Sequence, residues 1–145
     1  MGWWTKTSMS FEDAVHCHSE WKRKLHNYVM NPDHSLKISE VAENDRCKLG
    51  KWIRGEGRRY AGHPEFAKLA AEHTRLHKAA AEIVRRADCG EDMRSEFALG
   101  VGSEFSLASS SVVLALMDMK RRHAQQEQSK HELREARSQA AGGVE

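Results

Sequence analysis

GHPEFAKLAAEHTRLHKAAAEIVRRADCG, residues 62–90, decides the fold class of this 145-residue chain. Pro64 stands where the first turn of a helix tolerates it, and Glu65 beside it suits the positive end of the helix dipole. Phe66, Leu69, Ala70, His73, Leu76, His77, Ala80, Ile83 and Val84 then recur at steps of three and four, which places them on one helical face. Gly90 supplies the closing cap. The face is apolar except for its histidines. His73 and His77 are four residues apart, so they stand one above the other where a core is expected.

The same pattern precedes this stretch. Ser10-Phe11-Glu12-Asp13 has the form of a capping box, and Phe11, Ala14, Val15, His18, Trp21, Leu25, Tyr28 and Val29 follow at helical spacing. His18 is the polar exception in the middle of that face, and Asn31-Pro32-Asp33 ends the helix. Residues 33–46 are mixed, with Leu36, Ile38 and Val41 as anchors. Cys47 then opens a turn or two of helix carrying Leu49, Trp52 and Ile53. A last helix is expected from around Glu91, with Met93, Phe97, Val101, Phe105, Ala108, Val112, Ala115 and Met119 inward. Its glycines and serines cost helix propensity but let a neighbour approach closely. From Lys120 onward the pattern turns polar. No internal repeat and no strand-like alternation occurs. The expectation is an all-α four-helix bundle with a short Cys-bearing helix, occupying residues 8–122, and a polar helical extension and tail over 123–145.

Composition narrows the function classes. With 39% hydrophobic residues the chain can build a core, and 23 basic against 21 acidic residues leave a formal charge of +2. That balance gives no reason to expect a nucleic-acid partner, and the clusters Lys22-Arg23-Lys24, Arg58-Arg59 and Lys120-Arg121-Arg122 lack interleaved aromatics. No apolar run approaches the length of a membrane span. The first residues form neither a signal peptide nor a myristoylation site. Three cysteines, Cys17, Cys47 and Cys89, without export signals fit reduced thiols and a cytoplasmic setting.

Histidine stands out, with nine residues. Two imidazoles side by side in a core are costly unless something engages their lone pairs. A transition metal does so; hydrogen bonds to carbonyls are the alternative. His18 on the buried face of the first helix and Cys47 at a helix start strengthen the metal reading, since a helix N-terminus favours the thiolate. One thiolate and three imidazoles suit zinc in tetrahedral coordination; copper fits on affinity, whereas magnesium and calcium want oxygen. His16, His34, His63, His123 and His131 read as solvent-facing. A site using Cys17 with Cys47 fits the face pattern less well.

His18-x-x-Trp21, Cys47-x-Leu49-Gly50-x-Trp52 and His73-x-x-x-His77 resemble, in order, the three blocks of the chemoreceptor zinc-binding (CZB) domain family. The resemblance runs over roughly residues 10–120. It implies zinc ligation by His18, Cys47, His73 and His77, the same four residues; Trp21, Gly50 and Trp52 stand beside these ligands in the sequence and are expected around the metal. It also implies a four-helix bundle, often a homodimer, that serves as a regulatory module in bacterial chemoreceptors or diguanylate cyclases and responds to zinc or to oxidants acting on the cysteine. A chain of this length has no room for a signalling or cyclase domain. The Met1 start leads us to expect a stand-alone member acting on a partner protein, with a fragment of a longer protein as the other reading.

Three competitors follow from the same residues. Purely structural zinc would only brace the scaffold. An enzyme with catalytic zinc needs an open coordination position, and Thr74 stands where a zincin carries Glu after its first His; no enzymatic activity is expected. A hemerythrin-like di-iron bundle needs inward carboxylates, whereas Glu72 and Glu82 fall off the stripe of His73 and His77. Zinc affinity is expected to fall below about pH 6.5 as free imidazoles charge.

Overall fold

The computed structural model describes residues 10–43, 47–94 and 102–142. Every regular element among them is helical: α1 (Phe11–Met30), α2 (Ile38–Ala42), α3 (Lys48–Arg54), a 3₁₀ helix (Glu56–Tyr60), α4 (Pro64–Asp88) and α5 (Glu104–Gly142). The all-α expectation holds.

Helix α1 starts as its capping box dictates. The Asp13 amide donates to Ser10 Oγ at 3.0 Å and the Ser10 amide to Asp13 Oδ2 at 3.1 Å. Its inner face buries Phe11, Ala14, His18, Leu25, Tyr28 and Val29. After Pro32 the chain reverses through His34, whose φ of 62° is left-handed. The Tyr28 hydroxyl fixes this corner, accepting from the His34 amide at 3.1 Å and donating to Asp88 at 2.5 Å, which ties the end of α1 to the end of α4.

Helix α2 is five residues long, packs on α4 and buries Val41. The sequence offered only anchors here, because one turn is too short to show a helical period. Helix α3 follows with Cys47 as its N-cap. The chain then folds tightly over Trp52: a Cβ on Gly57 would lie 2.8 Å from the Trp52 ring and from its carbonyl oxygen, so glycine is required.

Helices α4 and α5 form the main interface. Leu69, Leu76 and Val84 of α4 and Val112, Leu116 and Met119 of α5 are the largest side chains fully withdrawn from solvent. Ala108, Ser109 and Ala115 keep α5 lean where it enters the core. Arg75 pairs with Glu104 at 2.7 Å, Arg122 with Glu65 at 2.6 Å, and Lys120 with Glu12. Such surface pairs contribute little stability.

The start of the last helix is corrected. Glu91, Asp92 and Met93 lie outside any helix, and α5 begins at Glu104. Ser103 stops the helix from running further back, because its Oγ accepts the Ser106 amide at 3.1 Å while its carbonyl takes the Leu107 amide at 2.9 Å. Phe97 and Val101 lie outside the described residues. Met119 is the last buried residue; beyond it α5 continues exposed, only His123 being partly covered.

Candidate metal centre

Burial turns the spacing of His73 and His77 into a chemical problem. Their exposures are 3% and 2%, and their Nε2 atoms are 3.1 Å apart. Cys47 Sγ completes a triangle at 3.2 Å from His73 Nε2 and 3.5 Å from His77 Nε2. All three ligand atoms lie within 4.8 Å of one another. Tetrahedral zinc, with bonds of about 2.0–2.1 Å to nitrogen and about 2.3 Å to sulfur, needs edges of about 3.3 Å between nitrogens and about 3.5 Å from sulfur to nitrogen. The triangle has those edges to within a few tenths of an ångström. The donor set, one soft sulfur and two imidazole nitrogens, fits the same ion.

Backbone groups hold the triangle. Val41 of α2 accepts from His77 Nδ1 at 2.7 Å, which fixes the tautomer and leaves the Nε2 lone pair for the centre. The Gly50 amide donates to Cys47 Sγ at 3.2 Å, as the N-cap position provides. Trp21 covers His77, ring centroids 4.7 Å apart, and continues onto Phe105 at 6.3 Å. A bound zinc would take the Cys47 thiolate and the two Nε2 atoms, supplying a crosslink between α3 and α4.

His18 is buried at 4% exposure and lines the same cavity of about 530 Å³, together with Trp21, Cys17 and the three triangle residues. Its Nε2 is engaged elsewhere, 2.9 Å from Ser109 Oγ on α5. Three of the four expected ligands therefore converge, and the fourth stands on the wall of the site with a different partner. Trp52 departs from its expected place. Its ring packs against Phe11 and Tyr60, 5.9 Å from each centroid, and does not line the cavity. It lies five residues from Cys47, roughly 140° around α3, so it faces away from the thiol.

Burial governs the electrostatics of the site. Burial, with repulsion from Lys22 and His77, pulls His18 down to about 4. Burial, with repulsion from His77, His18 and Arg54, pulls His73 down to about 3. Burial also lowers His77, against the bond to Val41 that raises it. The folded His18 and His73 imidazoles therefore stay neutral well below pH 6.5, and His77 is shifted in the same direction. Cys47 moves the other way: burial pushes its thiol up, and the amides at the start of α3 only partly offset this. A metal ion would supply the positive charge that the buried thiolate needs.

Residues 18–84 match the family model of the chemoreceptor zinc-binding domain, a little under half of the chain. That stretch is similar to a CZB domain. The match begins at His18 and includes Cys47, His73 and His77. Zinc is the metal this family binds, and the Cys47–His73–His77 group suits it. Comparison with curated proteins and with solved structures gives no match.

Two residues of the site escaped the sequence reading. Val41 acts through its carbonyl, which no side-chain pattern reveals. Ser109 was read as one of several small residues on a lean helix, although a hydroxyl on an apolar stripe was a usable signal. Glu72 and Glu82 pair with Arg75 and Arg85, which occupies the carboxylates a di-iron site would need. His63 and His123 are half-buried around Tyr60, with ring centroids 5.9 and 5.4 Å away, rather than solvent-facing. No described helix is long and apolar enough to cross a membrane.

Proposed function

We propose that this chain is a zinc-dependent regulatory module in which Cys47, His73, His77 and His18 hold the metal and a partner protein reads the state of the site. The observation that carries the proposal is the buried triangle of Cys47, His73 and His77, with edges suited to tetrahedral zinc. The stimulus is the zinc level or an oxidant acting on the Cys47 sulfur, which would weaken coordination. The output is of the chemotaxis or cyclic-di-GMP kind. Four protein ligands would leave no open position for a substrate, so the module is not an enzyme. Cys17, Cys47 and Cys89 form no disulfide with one another, which supports a reducing, cytoplasmic setting. Leu107, Leu114 and Met117 of α5, 47–58% exposed at steps of seven and three, support pairing of two copies through that helix.

Metal analysis tests the assignment. The wild-type chain should hold about one zinc, and Cys47→Ala and His77→Ala should each lose most of it. Wild-type zinc content in both variants would refute the site. Mild hypochlorite should release zinc as Cys47 is oxidised; retention of both zinc and thiol would leave a metal that only braces the scaffold.

A further inference from the structure

Among the described residues, four polar side chains are buried: His18, His73, His77 and Ser109. Two of the histidines belong to the triangle. The other pair spans the bundle, His18 on α1 and Ser109 on α5, 91 residues apart in the chain and 2.9 Å apart in space. Ala108 and Val112 beside Ser109 are apolar and fully buried. A hydroxyl placed there is costly without a partner, and His18 is the partner it has. We propose that Ser109 and the metal compete for His18 Nε2, so that metal capture by His18 breaks the hydrogen bond joining α1 to α5.

The argument is one of valence. An imidazole nitrogen has one position in the ring plane, and whatever fills it, a shared proton or a coordinate bond, excludes the other. His18 already borders the triangle's cavity, so changing partners needs a reorientation of one side chain rather than a new fold. Helix α5 is thereby the first element outside the ligand-bearing segments to register occupancy. This inference rests on the zinc-module reading above and deepens it.

Zinc affinity, measured by chelator competition, tests it with the variant Ser109→Ala. Losing a competing hydrogen bond of ordinary net strength should tighten zinc binding about 2- to 10-fold. In a His18→Ala background the same substitution should change nothing. As a second readout, zinc should alter amide exchange across residues 105–112 of the wild-type chain and do so much less in Ser109→Ala. Unchanged or weaker affinity in Ser109→Ala, an equal effect without His18, or an identical exchange response would overturn the proposal. The two failures are distinguishable: if Cys47→Ala and His77→Ala keep zinc, the site itself is wrong. If they lose it while Ser109→Ala is silent, only the competition is wrong.

Discussion

The two sides of the metal cavity are built to different standards of readiness. On one side, α3 and α4 hold Cys47, His73 and His77 at coordinating distances, with the Val41 carbonyl and the Gly50 amide fixing how their donor atoms point. On the other, α1 presents His18 with its Nε2 atom committed to Ser109. Both sides are buried and both come from helical faces, so burial alone does not make a ligand. What separates them is whether the donor atom points into the triangle or to a partner outside it.

The largest break in this contrast should come from removing a prearranged ligand. His73→Ala should weaken zinc binding by about two to three decades, roughly the share of one ligand in a structural zinc site. His18→Ala should cost about 2- to 10-fold less than His73→Ala, because that residue must first give up a hydrogen bond. Equal losses in a chelator titration would erase the distinction between the two sides.

Acid should expose the burial of the histidines in the metal-free protein. In the unfolded chain they titrate near 6.5; in the folded one His18 stays neutral to about 4 and His73 to about 3. The unfolded state therefore binds more protons between these limits. Stability is complete above about pH 6.5 and falls as pH drops toward 3–4, by about 2 kcal/mol for each of these residues at pH 5. Urea unfolding at pH 7 and pH 5 measures this. The same neutrality sharpens the zinc titration. The Cys47 thiol is pushed up and the imidazoles are uncharged, so one proton leaves on binding. Apparent affinity should rise about tenfold per pH unit from 6.5 to 8, whereas a steeper slope would mean that imidazoles also surrender protons. The smallest effect belongs to the polar end of α5, where Glu132→Ala should change stability by no more than about 0.5 kcal/mol in thermal unfolding.

Much of this arrangement was legible in the residues. Steps of three and four gave α1 and α4, and the histidines interrupting those faces gave the site, because burying an imidazole needs a compensating partner. The missing parts have physical reasons. Helix α2 is too short to carry a period, and its contribution at Val41 is a backbone oxygen. The start of α5 depends on Ser103 as a cap rather than on the apolar residues upstream. Trp52 was placed by closeness in sequence to Cys47, whereas angle around α3 sends it to Phe11 and Tyr60. Ser109 shows how a residue counted as small can act through its hydroxyl.

Helix α5 runs without interruption from the buried Ser109 to Gly142. At about 1.5 Å per residue, its mostly exposed stretch from Lys120 runs for roughly 35 Å. A rigid rod of that length is a lever: a tilt of about 5° at its root carries the tip through about 3 Å, comparable to a hydrogen-bond length. A change confined to a single side chain inside the bundle thus has a mechanical route to a displacement large enough to make or break contacts at the far end.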